Sequence, residues 1–165
     1  GSPTAYLAWT QLPRLAQDAG AQLVWRPMLL GGVFKATGNA SPAMVPAKGR
    51  WMHQDMPRWA RRYGVPLAMN PYLPIERYVE TVYRAMWEAP CNMGDPAVLA
   101  QVLQRDRFDV EGLLALAGDP EVKARLVATT EEAVARGVFG APTMFVGEQM
   151  FVGQDRLDFV REVLR

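Results

Sequence analysis

The sequence predicts an α/β domain with a helical middle part. Three observations carry this prediction: a capped helix at the start of the chain, repeated helix-start signals in the middle, and a strand–turn–strand–helix pattern at the end. The chain has 165 residues, of which 50% are hydrophobic and 21% charged. That length and composition are typical of one soluble domain with a buried core.

The composition argues against several classes of protein. A net charge of +1 does not suit a dedicated nucleic-acid surface, which is normally basic. No apolar run approaches the roughly 18 residues of a membrane span and no signal peptide is visible, so we expect a cytoplasmic protein without a membrane partner. The single cysteine, Cys91, excludes an internal disulfide, and with one histidine, His53, beside it in the composition a metal site is improbable.

The first predicted helix begins at Ser2-Pro3 and runs to about Ala19. Serine is a preferred N-cap, and proline is favoured at the first helical position. Gly20 is a typical helix stop.

A strand is predicted after this helix, where Gln22 to Arg26 alternates polar and apolar residues before Pro27. The segment from Met28 to Ser41 has three glycines and no clear period, and we expect a loop.

The next helix is predicted over Pro46 to Tyr63, with Gly64 as its end, and Pro57 is expected to kink or split it. Val65 to Pro74 contains three prolines and is expected to be an extended connector.

Four further helices are predicted before the end of the chain. Glu76 to Glu88 has helical periodicity, and a short helix is expected near 109–117. Asp95-Pro96 and Asp119-Pro120 repeat the cap-then-proline signal and predict helices over about 96–104 and 120–136.

The C-terminal part predicts a hairpin followed by a helix. Thr143 to Val146 and Gln149 to Val152 have strand composition, and Gly147-Glu148 can form the turn. Asp155 suits the first turn of the last helix. The apolar residues predicted to form one face of that helix are Leu157, Phe159, Val160, Val163 and Leu164.

Pro142 stands at the first position of the first hairpin strand, where a proline removes no ladder hydrogen bond. Spacing alone leaves open whether the Ala141-Pro142 bond is trans or cis.

Five stretches of the chain together resemble one family: S-P-T-A-Y-L-A-W at 2–9, W-R-P-M-L-L-G-G-V-F-K-A-T-G-N at 25–39, V-P-A-K-G-R-W-M at 45–52, T-E-E-A-V-A-R-G-V-F-G-A-P-T at 130–143 and G-Q-D-R-L-D-F-V at 153–160. The chain resembles the 2-hydroxychromene-2-carboxylate isomerases, which are relatives of kappa-class glutathione transferases and, more distantly, of DsbA-type disulfide oxidoreductases. The resemblance implies a thioredoxin-like domain (β-α-β followed by β-β-α) with a large helical insertion, glutathione as cofactor and a homodimer.

This resemblance also implies a division of the chain. Residues 1–30 and 130–165 are expected to form the thioredoxin-like domain, and residues 31–129 the helical insertion. Members begin with a strand before the Ser-Pro step and have a longer segment after the proline-rich connector. We therefore expect further residues before Gly1 and between Ile75 and Glu76.

The function implied by the resemblance is glutathione-dependent isomerisation of 2-hydroxychromene-2-carboxylate or a related aromatic-catabolism intermediate. The small-molecule aromatic carboxylate would react by reversible thiolate addition, ring opening and cis–trans isomerisation. Two alternatives stay open: a kappa-like glutathione transferase and a non-catalytic thioredoxin-like binding module.

Ser2 is the catalytic candidate, because it lies where DsbA-type relatives place the first cysteine of C-x-x-C. A plain N-cap serine is the alternative interpretation. A free thiol, with a pKa of about 8.5, is mostly protonated at neutral pH. A hydroxyl donor and the positive end of a helix would favour its thiolate, so we expect Ser2 to activate a borrowed thiol.

The resemblance also implies the cofactor-binding residues. The backbone of Ala141, presented by a cis Pro142, would pair with glutathione as a short strand. Gln154 and Asp155 would receive its γ-glutamyl group, although Asp155 alone could be an ordinary helix-start carboxylate. Asn39 and Lys48 match pocket positions of relatives, and Lys48 or Arg50 would suit an anionic substrate.

Overall fold

The structure is a computed structural model, and it describes residues 2–68 and 79–165. Within these ranges, helices form most of the chain and one antiparallel hairpin forms the sheet. The elements are α1 (Pro3–Asp18), α2 (Leu30–Thr37), α3 (Pro46–Tyr63), α4 (Val79–Tyr83), α5 (Pro96–Arg105), α6 (Val110–Gly118), α7 (Pro120–Ala135), β1 (Thr143–Val146), β2 (Gln149–Val152) and α8 (Leu157–Val163). Short helical turns lie at Pro42–Met44, Arg84–Glu88 and Gln154–Arg156.

The predicted cap-then-proline helix starts are confirmed. The Ser2 hydroxyl accepts a hydrogen bond of 3.3 Å from the Ala5 N–H at the start of α1. Asp95 accepts one of 2.8 Å from Ala97 at the start of α5, and Asp119 caps α7 in the same way. Each cap satisfies a backbone donor that the first helical turn leaves without a partner.

The predicted C-terminal hairpin is confirmed, with Thr143 opposite Val152 and Val146 opposite Gln149. Beyond its open end, the Gly153 N–H donates to the Pro142 carbonyl oxygen at 2.9 Å. The Ala141-Pro142 bond is cis. The hairpin therefore holds the residues before β1 beside the turn that precedes α8.

Helix α1 lies between two hydrophobic clusters. Its Tyr6 and Leu7, both fully buried, pack into the larger cluster with residues of α3, α4 and α5. Its Ala8, Leu12 and Leu15 pack into a second cluster with β1 and α8. Because both faces of α1 are covered, the position of its N-terminus is determined by packing on two sides.

The predicted strand over Gln22 to Arg26 is wrong. This segment has no regular structure, and within the described residues the sheet contains only β1 and β2. An alternating pattern becomes a strand only when a neighbouring strand supplies hydrogen bonds. Here Val24 and Trp25 are exposed, and Arg26 instead forms an ion pair of 2.8 Å with Glu132 on α7.

The predicted loop over Met28 to Ser41 is also wrong, because α2 lies within it. This helix packs against α7, and the Leu29 N–H at its start donates to the buried Thr130 hydroxyl at 2.9 Å. Tertiary packing thus overrides the low helix propensity of the glycines.

Smaller differences concern exposed side chains. Leu157 and Val160 of α8 are buried as predicted, but Phe159 and Val163 are exposed because the turn of the helix carries them away from α1.

Helices α3 and α7 form as predicted, with Pro57 inside α3 and Gly64 at its end.

Several predictions fall partly or wholly on residues that are not described. The junction of Ile75 and Glu76 and most of the connector after Leu67 lie outside the described residues, and the helix predicted from Glu76 is described from Val79 onward. The division into residues 1–30 with 130–165 and an insertion over 31–129 stays a prediction. Among the described helices, none is long and apolar enough to cross a membrane.

Candidate functional site

The candidate site lies where the start of α1 meets the residues before β1. The Ser2 hydroxyl is 3.4 Å from the Ala141 carbonyl oxygen, to which it can donate. The Thr4 hydroxyl donates to the same oxygen at 2.9 Å. The structure thus brings together two candidates, Ser2 and Ala141, that are far apart in sequence.

Ser2 is also the N-cap of α1, so its oxygen lies at the positive end of a helix of 16 residues. The side chain is partly buried, which leaves part of it open to a ligand. A hydroxyl has one proton to donate and can point it towards an anion. Together, the hydroxyl and the helix terminus can stabilise a negative charge placed beside Ser2.

Ala141 offers an unused backbone donor. Within residues 2–68 and 79–165, the structure records no acceptor for the Ala141 N–H. The Ala141 carbonyl oxygen accepts a hydrogen bond from the Thr4 hydroxyl. A carbonyl oxygen has a second lone pair, so it can accept one more bond. This partly exposed residue can therefore pair with an extended peptide backbone.

Gln154 and Asp155 lie at the same corner, because Gly153 bonds to Pro142. The two side chains differ in access: Gln154 is 5% exposed, whereas the Asp155 carboxylate is 38% exposed and contacts Arg156 at 2.9 Å. Asp155 is the more accessible of the two for a cationic group.

Tyr63 on α3 positions this turn by donating to the Gln154 carbonyl oxygen at 2.7 Å. Burial raises the pKa of the Tyr63 phenol to about 12, and the negative charges of Asp158 and Asp155 act in the same direction. The phenol therefore stays protonated and remains a donor at neutral pH.

Beside the turn lies a small polar cleft of about 70 Å³ between α1, α3 and α8. Its lining includes guanidinium and carboxylate groups from Arg62, Arg161, Asp155 and Asp158. These groups can bind a zwitterionic end group.

Asn39 and Lys48 differ in how they relate to the site. The Asn39 side-chain amide donates to the Phe139 carbonyl oxygen at 2.8 Å, which brings Asn39 to the loop that leads to Ala141. Lys48 is exposed on α3, and in the described part of the chain no hydrogen bond or ion pair joins it to the other candidates.

Thr4 and Tyr63 contact the candidate site but are not among the residues predicted from the sequence. Each acts through one hydrogen bond to a distant backbone carbonyl, 137 positions away for Thr4 and 91 for Tyr63. Thr4 does carry one local signal, since a hydroxyl two residues after an N-cap serine lies in the same first turn of the helix.

The candidate site described above includes neither Cys91 nor a group of metal-binding side chains. Cys91 packs at the edge of the larger hydrophobic cluster and contacts the Ala89 carbonyl oxygen at 3.2 Å. No group of histidine, cysteine, aspartate or glutamate residues among the described residues could hold a metal ion.

Comparison with known proteins gives a family model over the whole chain, the DSBA-like thioredoxin domain, matched by residues 1–165. A solved structure of a 2-hydroxychromene-2-carboxylate isomerase superposes with a TM-score of 0.86 at 29% identity, covering 99% of this chain and 89% of that one. The predicted thioredoxin-like fold is thereby confirmed.

Three curated relatives carry names of two different activities. The 2-hydroxychromene-2-carboxylate isomerase of Pseudomonas putida is 33% identical, over 94% of this chain and 86% of the relative. Glutathione S-transferase kappa 1 of Homo sapiens is 25% identical, over 99% of this chain and 86% of the relative. An isomerase of the same name from Sphingobium xenophagum is 31% identical, over 99% of this chain and 93% of the relative.

Proposed function

The chain belongs to the DSBA-like thioredoxin domain family, and on that premise we propose that it is a glutathione-dependent isomerase of 2-hydroxychromene-2-carboxylate or a related aromatic-catabolism intermediate. The single observation that carries this proposal is the Ser2 hydroxyl at the start of α1, 3.4 Å from the Ala141 carbonyl oxygen. A serine in place of a thiol at this helix terminus suits the activation of a thiol that the protein borrows.

Glutathione fits the residues present. The Ala141 N–H has no recorded acceptor among the described residues, so it can bind the cysteinyl backbone of the tripeptide. The exposed Asp155 carboxylate and the polar cleft beside it offer charges that complement the γ-glutamyl ammonium and carboxylate. Ser2, the N-cap of α1, has its hydroxyl oxygen 3.4 Å from the Ala141 carbonyl oxygen.

When bound, glutathione would supply a thiolate that adds reversibly to the substrate, and glutathione would be released unchanged. Ser2 would donate its hydroxyl proton in a hydrogen bond to the sulfur, and the N-terminus of α1 would stabilise the negative charge. The backbone of Ala141 would orient the tripeptide, and Asp155 would hold its ammonium group.

The substrate carboxylate requires a cation. Lys48 and Arg50 are exposed near the start of α3 and are the proposed partners of that group. Asn39, held against the loop before Ala141, is the proposed neutral hydrogen-bond partner of the bound ligands.

The thiolate absorbance of glutathione, titrated with the protein across pH, tests this proposal. We expect the bound thiol to ionise well below its free pKa of about 8.5, and Ser2→Ala to raise the bound value. Ser41→Ala is the matched control, because Ser41 also caps a helical turn before a proline. Absence of binding at millimolar glutathione would overturn the proposal and favour a thioredoxin-like binding module.

A kappa-like glutathione transferase is the second candidate, favoured by the relatives that carry that name. Counting free thiols during turnover separates the two activities. An isomerase returns every glutathione molecule, whereas a transferase consumes one per product. The homodimer and the cytoplasmic location are part of the proposal, and light scattering on the purified protein tests the former.

A further inference from the structure

Three oxygen atoms form a small triangle at the proposed thiol site. The Ser2 hydroxyl oxygen is 2.7 Å from the Thr4 hydroxyl oxygen, and Thr4 donates to the Ala141 carbonyl oxygen at 2.9 Å. The third side, from Ser2 to Ala141, is longer at 3.4 Å. All three residues are partly buried, so each of these bonds matters to the local geometry.

The two hydroxyl groups of this triangle have only two protons to share. The shorter distances favour an arrangement in which Thr4 gives its proton to Ala141 and Ser2 gives its proton to Thr4. The Ser2 oxygen meanwhile accepts from the Ala5 N–H. The Ala141 carbonyl is then satisfied without any contribution from Ser2.

We propose that Thr4 is a positioning residue that keeps the Ser2 proton available for the bound thiolate by occupying the Ala141 carbonyl oxygen. This inference rests on the proposed function. When a thiolate arrives, the Ser2 hydroxyl turns from the Thr4 oxygen to the sulfur. Thr4 keeps its own bond to Ala141, so no partly buried carbonyl loses its partner.

Without the Thr4 hydroxyl, the Ala141 carbonyl oxygen would have only Ser2 as a side-chain donor in this triangle. The Ser2 proton would then be held by that oxygen, and turning it to a sulfur would leave the carbonyl without a side-chain donor. A typical hydrogen bond contributes about 0.5–1.5 kcal/mol, so we expect thiolate binding to weaken roughly three- to tenfold.

The test compares glutathione with S-methylglutathione, whose sulfur cannot ionise, on the full protein. For Thr4→Val, we expect calorimetry to give unchanged affinity for S-methylglutathione and roughly three- to tenfold weaker affinity for glutathione at neutral pH. The pKa of the bound thiol should rise by roughly 0.5–1 unit. Thr4→Ser should restore both values, because serine supplies the same donor.

Thr10→Val is the matched control, since Thr10 lies on the same helix, donates to the Leu7 carbonyl oxygen and accepts from the Gln11 side-chain amide, both outside the triangle. Thr4→Ala is the second variant if Thr4→Val folds poorly. An unchanged thiol pKa in a folded Thr4 variant overturns the inference, as does an equal loss of affinity for both ligands, which indicates a displaced loop. If the wild-type protein binds neither ligand, the proposed function itself fails.

Discussion

The Tyr63 hydroxyl donates a hydrogen bond of 2.7 Å to the Gln154 carbonyl oxygen and so joins α3 to the turn before α8. The same turn carries Asp155, whose carboxylate is the proposed partner of the cofactor's ammonium group. One phenol on a long helix therefore supports the turn that carries Asp155, although it does not contact the Asp155 side chain through a hydrogen bond.

Removal of this phenol should lower stability at neutral pH. We expect Tyr63→Phe to cost about 1 kcal/mol in the free energy of unfolding, because the ring is kept and one hydrogen bond is lost. Urea unfolding of both proteins at pH 7 measures the difference. A variant as stable as the wild type would show that the bond contributes nothing.

The stability difference between wild type and Tyr63→Phe should also depend on pH. Because burial raises the folded-state pKa of Tyr63 to about 12, its contribution is complete below the unfolded pKa of about 10. Above that value the unfolded phenol ionises first, so the contribution falls as pH rises towards 12. Unfolding measurements between pH 9 and about 11 should therefore show the difference shrinking.

Thr130 should be more important for stability than its neighbour Thr129. Thr130 is buried, accepts from the Leu29 N–H at 2.9 Å and donates to the Leu126 carbonyl oxygen at 2.7 Å. Thr130→Val leaves the Leu29 donor unsatisfied, which costs about 1–3 kcal/mol. The control Thr129→Val loses only a bond to the Leu126 carbonyl oxygen. Thermal unfolding that gives equal shifts for both variants would contradict this assignment.

Gly153 should tolerate a side chain less well than Gly20 does. Gly153 has a φ of 100°, and a Cβ atom there would overlap the Asp155 carboxylate. We expect Gly153→Ala to cost about 1–3 kcal/mol and to displace Asp155. Gly20 has a φ of 64° with open space around it, so Gly20→Ala should cost only about 1–2 kcal/mol of backbone strain. Glutathione affinity should fall for Gly153→Ala alone.

Asp155 should recognise the ammonium group of the cofactor. Asp155→Asn should weaken glutathione binding roughly tenfold, since one charge-assisted hydrogen bond is lost. An analogue that lacks the amine should bind the wild type and the variant equally. Asp18→Asn is the control, because Asp18 is an exposed carboxylate at the other end of α1. Equal losses of affinity for glutathione and for the analogue would show that Asp155 does not bind the ammonium group.

The helix starts and the hairpin were predictable because their causes are local. A serine or aspartate before proline satisfies a backbone donor within one turn, as the caps at Ser2 and Asp119 do. The hairpin strands lie next to each other in sequence, so composition and a two-residue turn identify both. In these elements the information is contained in at most ten consecutive residues, the length of the hairpin from Thr143 to Val152.

The errors arose where the cause is distant. The segment after α1 alternates like a strand but has no neighbouring strand among the described residues, and α2 forms because α7 packs against it. For the candidate site, the resemblance predicted Ser2 and Ala141, whereas the Thr4 hydroxyl becomes a candidate only because the fold places it 2.9 Å from the Ala141 carbonyl oxygen. A periodicity or a motif does not reveal such pairings.

The contact between Ser2 and Ala141 spans 139 positions of the chain. Such a contact has a large loop-closure entropy, so it forms only when almost the whole fold is in place. The proposed thiol activation would therefore depend on the folding of most of the chain and would report on global folding. A ligand that joins these two residues would raise the melting temperature, because at one hundred times its Kd it adds about 2.7 kcal/mol to the free energy of unfolding.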